Sequence, residues 1–515
     1  MANNKQSFDS LAEKMVDEGV SSVFAVPGSG ASFTLLSALI DAGASCYTVQ
    51  HEASAALMAG ALCNDGVTRG ASVSIKGPGL ANMVAGIVSN YFESRPALSI
   101  SESYSETASA DLVHKRFDHT EMLQQFVKAH LAPDTDALQA AFREARQERP
   151  GPIHVDLGYT QKATVEHLPL VCEGEADVFL NKISRSKRPL MIVGSMSNRR
   201  GLKAVLDVVN IPFCTTASGK GVMDETSSFF AGIVTGEMGE FSPENLVLQH
   251  ADLIIGVGLR NYELTRVRDM GVPLICMDVT NGNWFHGLNV EYTLIREELN
   301  LLCGDIFRIL ANKTWGQELI ERRNTAIEAL IDESRWNGLV AMQTLQEQAP
   351  LETTLVLDTG FHCTIGETIW KSGGAQGFLG SSVGRYMGTS IPTAIGYSIG
   401  FDTPVICVFG DGGVSPFFAD VNLAVRQQLN VLFVMFSDKK LGSVSAFVDP
   451  DRNYLLDTRE TWVERFQSMG VSSYSADSPE ELMARVIEWK SAGKPLFIEC
   501  LFEAEEYSRQ ARKLR

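Results

Sequence analysis

The stretch Pro404-Val405-Ile406-Cys407-Val408-Phe409-Gly410-Asp411-Gly412-Gly413 leads, through a helical segment, into Val431-Leu432-Phe433-Val434-Met435-Phe436-Ser437-Asp438. Two near-continuous apolar runs, each closed by a polar tip, read as buried strands of a parallel sheet. Between them Phe418, Val421, Leu423, Ala424 and Val425 are spaced for one apolar helix face. In such a strand–helix–strand unit both strand ends open on the same sheet edge, where ligands bind. Asp411 and Asp438 are thus expected to meet there, beside a glycine turn whose backbone N–H groups can hold phosphate. Two side-chain oxygens next to phosphate suit Mg²⁺, which takes few protein ligands and completes its shell with phosphate and water.

The rest of the chain repeats the same alternation of strand-like and helix-like segments, which predicts an α/β protein with parallel sheets. Its 515 residues suffice for about two to four domains with cores of their own. A first block, 1–162, holds strand candidates at Val23–Val26, Ser72–Ile75, Ala97–Ile100 and Ile153–Asp156. A polar stretch, 163–186, reads as a linker. The second block, 187–330, opens on Pro189-Leu190-Met191-Ile192-Val193 and lacks obvious catalytic residues. The third, 336–515, carries Thr354–Asp358, the Asp411 unit and Pro495–Cys500.

Composition narrows the function classes. The chain is 45% hydrophobic and 21% charged, as soluble globular enzymes are, and no apolar run is long enough to span a bilayer. Its start lacks the apolar core of a secretory signal. A formal charge of −18 argues against nucleic acid and gives no reason to expect membrane contact. The nine cysteines are scattered with no Cys-x-x-Cys pair, so reduced thiols and a cytoplasmic location are the expectation.

In the first block, Val26-Pro27-Gly28 follows a strand, and His51-Glu52 opens a helix rich in small residues. A carboxylate there is also what the helix dipole alone favours. Lys76-Gly77-Pro78-Gly79-Leu80-Ala81-Asn82 again links a strand to a helix. Gly28-Ser29-Gly30-Ala31-Ser32-Phe33 lacks the third glycine of a dinucleotide fingerprint, so a nicotinamide enzyme is not expected.

Taken in order, Val26-Pro27-Gly28, His51-Glu52, Gly77-Pro78-Gly79-x-x-Asn82, Tyr91-x-x-Ser94-x-Pro96, Asp358-x-Gly360-x-His362, Met387-Gly388-x-x-Ile391-Pro392 and Gly410-Asp411-Gly412 resemble one family. They are similar to the motifs of thiamin-diphosphate-dependent enzymes of the acetolactate synthase, pyruvate decarboxylase and benzoylformate decarboxylase type. The resemblance covers nearly the whole chain. It implies three parallel-sheet α/β domains (pyrimidine-binding, central and diphosphate-binding) and a homodimer or homotetramer with active sites between subunits.

The resemblance also implies roles. Glu52 would hydrogen-bond the aminopyrimidine, since a carboxyl in an apolar pocket can share a proton with a ring nitrogen. Met387 would prop the cofactor in its bent conformation, and the backbone carbonyl of Arg385 would accept from its amino group. Pro27, Gly28, Gly79, Asn82, Gly360, His362, Gly412 and Gly413 would complete the cofactor-binding set. Asp411, Asp438 and the backbone carbonyl of Lys440 would hold Mg²⁺. Two departures stand out. Arg385 replaces a frequent glycine, and Ser437-Asp438 replaces an asparagine pair, adding a second carboxylate that Lys439 and Lys440 would offset if they folded back. His114 and Lys115 lie in the loop where relatives carry substrate-facing polar residues. His114 suits proton transfer and Lys115 an anion; a solvated charged loop is the plainer reading. Ser443, Val444 and Phe447 are expected to form another wall. FAD, which some relatives hold near the middle block, is not favoured.

The expected activity is addition to the carbonyl of a 2-oxo acid, loss of CO₂, and transfer of the acyl-anion equivalent to a second carbonyl. Simple decarboxylation to an aldehyde is the first alternative. A degenerate, non-catalytic homologue that binds the cofactor weakly is the second.

Overall fold

The computed structural model describes residues 2–28, 30–104, 114–133, 135–158, 172–202, 209–260, 263–264, 271–280, 289–331, 335–380, 383–458 and 460–514. Side chains of 2–6, 446, 447, 450 and 453 lie outside that description.

The chain forms three six-stranded parallel sheets flanked by helices. The first contains β1 (Ser22–Ala25), β2 (Ser45–Thr48), β3 (Gly70–Ser74), β4 (Leu98–Glu102), β5 (Ala129–Leu131) and β6 (Ile153–Leu157), ordered β2-β1-β3-β4-β6-β5. The second contains β7 (Pro189–Val193), β8 (Phe213–Thr215), β9 (Phe230–Ile233), β10 (Leu253–Val257), β11 (Leu274–Asp278) and β12 (Val290–Ile295), ordered β12-β11-β10-β7-β8-β9. The third contains β13 (Thr354–Leu357), β14 (Phe378–Gly380), β15 (Val405–Gly410), β16 (Val431–Ser437), β17 (Ser472–Ala476) and β18 (Leu496–Leu501), ordered β14-β13-β15-β16-β18-β17. The first and third orders are the same when counted from each sheet's own first strand. The middle sheet instead has the order of doubly wound dinucleotide folds.

Each sheet is built as its sequence dictates. Every residue of β16 is buried, the pattern of a central parallel strand covered on both faces. Ile406, Val408, Leu432, Val434 and Ile498 pack on Trp489 and Tyr507 in one core cluster. On β15, β16 and β18, Phe409, Phe433 and Phe497 meet Phe466, and the Phe466 and Phe497 rings stack with centroids 3.8 Å apart.

The chain divides into two compact units. One comprises 1–168, 388–405 and 415–431, and includes the first sheet. The other comprises 169–387, 406–414 and 432–515. In the first unit, the helix Glu52–Ala61 packs so closely on the helix Ser390–Phe401 that a Cβ on Gly396 would lie 2.6 Å from the Met58 backbone.

One expectation needs correcting. The stretch read as a linker contains the helix Ala176–Arg185, whose Phe179 and Ile183 are fully buried in the second sheet's core. Its overall polarity hid an apolar pair four residues apart, enough to dock one face of a short helix. The linker residues 163–171 lie outside the described residues.

Candidate functional site

In the second unit, Asp411 follows β15 and Asp438 follows β16. The Asp411 carboxylate accepts from Ser437 Oγ at 2.8 Å, Thr458 Oγ1 at 3.0 Å and the Asp438 backbone N–H at 3.1 Å. Asp438 Oδ1 accepts from the Lys440 backbone N–H at 3.3 Å. Burial raises the Asp411 carboxyl. Burial, together with the nearby Asp411, pushes Asp438 up to about 6. Two crowded, half-desolvated carboxylates make a hard-oxygen set that a divalent cation would relieve.

Lys439 does not fold back onto Asp438. Its ammonium pairs with the buried Glu499 of β18 at 2.5 Å, although its charge still lowers Asp411. Lys440 lowers Asp438 in the same way.

Around this pair lie the other residues expected in the diphosphate half. His362 sits in the first turn of the helix Phe361–Ile369. Burial lowers its imidazole to about 4, and one hydrogen bond reaches the Asp358 backbone. Among the described residues its buried Nε2 has no hydrogen-bond partner. Gly360 opens that helix as its N-cap, and Gly413 approaches the Asp358 carboxylate. A Cβ on Gly412 would lie 2.6 Å from Met387 Sδ and 2.8 Å from Leu441 Cδ2, so a larger residue there would displace both side chains. Met387 is no core residue, being 42% exposed. Arg385 has φ +44°, a left-handed conformation that explains why glycine is common at that position. Val444 is exposed on the following segment; the side chain of Phe447 lies outside the described residues. A cavity of about 600 Å³ opens beside Asp438, Lys440 and Gly442, with Arg509 and Arg512 on its far wall.

In the first unit, Glu52 is the first residue of its helix and is buried. His51 caps the helix, its Nδ1 accepting from the Ala53 N–H. Glu52 Oε2 accepts from Asn82 Nδ2 at 3.0 Å. Gly28 and Gly79 both close on Ile75, at the end of β3. A Cβ on Gly77 would lie 2.6 Å from the Lys115 carbonyl oxygen. His114 and Lys115 therefore ride on the turn after β3, with both side chains exposed. Pro27, Gly28, Glu52, Gly79, Asn82, His114 and Lys115 thus gather at the C-terminal edge of the first sheet.

Two buried carboxylates escaped the sequence reading. Glu102 accepts from the Ser32 N–H at 2.9 Å and Ser32 Oγ at 2.7 Å, fixing the turn after Gly28. Asp420 accepts from the Gln50 N–H at 2.8 Å and from Ser54 Oγ, holding the start of the Glu52 helix. Both act over more than fifty residues of sequence, and no local pattern marks them.

The middle sheet reverses its order between β7 and β10, the crevice where a dinucleotide would sit. There the Glu263 carboxylate takes the Ser195 N–H and Oγ and the Thr216 hydroxyl. The backbone donor after β7 is thus engaged by the chain's own carboxyl group, which burial makes a weaker acid.

The hard-oxygen pair, the orphaned His362 nitrogen and the Met387–Gly412 approach do fit thiamin diphosphate and a divalent metal. Comparison with known proteins agrees on the cofactor. Residues 6–129 match the thiamine pyrophosphate enzyme N-terminal TPP binding domain, 177–280 the central domain, and 358–500 the C-terminal TPP binding domain. The catabolic acetolactate synthase of Raoultella terrigena is 26% identical over 85% of this chain and 84% of its own. A probable acetolactate synthase large subunit of Methanocaldococcus jannaschii is 23% identical over 97% and 92%. The isozyme 2 large subunit of Escherichia coli acetolactate synthase is 22% identical over 83% and 82%. With all three domain matches in family order, the chain belongs to the thiamine pyrophosphate enzymes, and along most of its length it is similar to acetolactate synthases.

Proposed function

We propose that this enzyme is a Mg²⁺-dependent carboligase, which decarboxylates a 2-oxo acid and passes the acyl-anion equivalent to a carbonyl acceptor. The observation that carries this reading is the Asp411–Asp438 pair set beside Met387 and Gly412, in a chain that aligns with acetolactate synthases over more than 80% of its length. Thiamin diphosphate, when bound, supplies the nucleophilic carbon and the electron sink for CO₂ loss.

The residues of the chain divide the remaining work. Asp411, Asp438 and the Lys440 carbonyl hold the metal, and His362, Gly360, Gly412 and Gly413 hold the diphosphate. Met387 and the Arg385 carbonyl orient the rings. Glu52, buried and anchored by Asn82, exchanges a proton with the aminopyrimidine. His114 and Lys115 receive the substrate, with Lys115 attracting the carboxylate. We place the domain limits at 1–162, 336–515 and, for the central domain, from the helix Ala176–Arg185 to 330, and the working assembly at a homodimer or larger.

A second reading is simple decarboxylation. It is favoured by His114, an exposed imidazole on the turn against Gly77, well suited to protonating a carbanion. Purified protein with thiamin diphosphate, Mg²⁺ and a panel of 2-oxo acids separates the two. CO₂ with a hydroxyketone supports the carboligase, and CO₂ with an aldehyde supports the decarboxylase. Bound cofactor without turnover on any 2-oxo acid would overturn both.

A further inference from the structure

The inner face of the first sheet is polar where a core face should be apolar. On β4, β5 and β6 the residues that point one way are Ser99, Ser101, His130, His154 and Asp156, and their register places His130 and Ser99 beside His154 and Ser101 beside Asp156. The opposite face carries Leu98, Ile100, Ile153 and Val155, as expected for a buried sheet. His119, from the helix His119–Leu123, closes over the polar face. Three of the chain's nine histidines thus converge on one carboxylate, and His154 and Asp156 are wholly buried.

The possible ligand atoms crowd together, those of His119, His154 and Asp156 all lying within 4.8 Å of one another. Asp156 Oδ1 lies 2.7 Å from His119 Nδ1, 3.3 Å from His154 Nε2 and 2.9 Å from Ser101 Oγ. Ser101 Oγ lies 3.4 Å from His119 Nδ1 and 3.1 Å from His154 Nε2. Ligand atoms on a tetrahedral zinc ion, at about 2.0–2.1 Å from the metal, are about 3.3 Å apart. On that comparison the His119–Asp156 edge must open by about 0.6 Å and the Ser101–Asp156 edge by about 0.4 Å.

We propose that His119, His154 and Asp156, with the Ser101 hydroxyl at the fourth corner, form a buried binding site for a divalent transition ion of the zinc class. Two imidazoles and a carboxylate are a ligand set that zinc and its neighbours favour. The surrounding shell is built as metal sites are. The second nitrogen of His154 is fixed by Ser99 Oγ at 2.8 Å, and Ser99 passes its own hydrogen to the Ile153 carbonyl. That arrangement turns the Nε2 lone pair inward. The free carboxylate oxygen, Oδ2, accepts from His130 Nε2 at 2.7 Å. Such bonds orient metal ligands and raise their basicity.

The electrostatics agree. Burial lowers His154 to about 4, so the ring is a neutral ligand. Burial would raise Asp156, yet its imidazole neighbours hold it well below the usual carboxylate range. Without an ion, the single Ser101 hydrogen must serve either the His154 lone pair or the carboxylate. A divalent ion satisfies both. It would also tie β4 and β6 to the helix that begins three residues after Arg116, and so steady the segment bearing His114 and Lys115.

The test uses the whole protein, stripped with a chelator and returned to saturating Mg²⁺ so that the Asp411–Asp438 site is occupied. Co²⁺ added next should bind at one equivalent with the intense visible bands of a tetrahedral ion, and Zn²⁺ should displace it. Ser99→Ala should weaken Zn²⁺ binding by roughly 10- to 100-fold. His154→Leu, which puts a buried apolar side chain on a core face, should abolish the bands while thiamin diphosphate still binds. Wild-type protein that takes up no Co²⁺ or Zn²⁺ at micromolar concentration would overturn the proposal and leave a purely hydrogen-bonded cluster. Equal bands in the wild type and His154→Leu would overturn it as well.

Discussion

A glutamine at position 52 would keep the size of Glu52 and its contact with Asn82 but could not carry a shared proton. Glu52→Gln should lower turnover by at least about 100-fold while cofactor affinity, followed by fluorescence quenching, stays within a few-fold of wild type. Activity that survives the change would remove Glu52 from the mechanism. Asp438→Asn keeps an oxygen ligand and relieves the crowding with Asp411. Its Mg²⁺-dependent cofactor affinity should equal or exceed that of wild type, by up to about tenfold; loss of binding would mean the carboxylate itself is required. His362 offers a pH test. The folded chain keeps this ring neutral down to about 4, whereas an unfolded one takes up a proton below about 6.5. Its contribution is therefore complete above about pH 6.5 and lost as pH falls towards 4, at no more than about 1.4 kcal/mol per pH unit. Between about pH 6.5 and about pH 4.5, apo His362→Gln should lose roughly 2 kcal/mol less stability to urea than wild type does. Equal losses would show that burial does not hold the ring neutral. The places of Asp411 after a strand and of Glu52 and His362 at helix starts were legible because short motifs surround them. Glu102 and Asp420 were not, since their partners Ser32 and Ser54 lie 70 and 366 residues away.

At the scale of elements, the alternation of apolar strands and amphipathic helices announced parallel sheets, and the first and third sheets share one strand order. The helix Ala176–Arg185 went unread because only Phe179 and Ile183 mark it. The start of the Glu52 helix carries a prediction of its own. Asp420 holds the Gln50 N–H and the Ser54 hydroxyl, so Asp420→Ala leaves the buried Ser54 hydroxyl and the part-buried Gln50 N–H without their acceptor. It should cost about 1–3 kcal/mol in denaturant unfolding and reduce kcat more than it raises KM, because it shifts Glu52 without touching substrate. Asp420→Asn, which keeps one acceptor oxygen, should recover part of both. A KM-only effect would argue against a positioning role.

For the whole molecule, ligand binding is a folding equilibrium. Thiamin diphosphate and Mg²⁺ together, at about a hundred times their dissociation constant, should stabilise the chain by about 2.7 kcal/mol, read as a raised melting temperature. Either one alone should do much less, because Asp411 and Asp438 would hold the metal and the metal would offset the diphosphate's charge. Equal shifts from cofactor with and without metal would contradict the role given to Asp411 and Asp438. Among the described residues no helix is long and apolar enough to cross a membrane.

The compact unit that holds Glu52 is drawn from three separate stretches of the polypeptide. The Glu52 helix rests on Gly396 and is tethered by Asp420, both encoded far downstream of the first sheet. A gene cut after the first family domain would yield a fragment with an unsupported alanine-rich helix, and the remainder would carry two orphaned inserts. A first domain exchanged between relatives must therefore still fit Gly396 and Asp420, which the 388–405 and 415–431 segments supply.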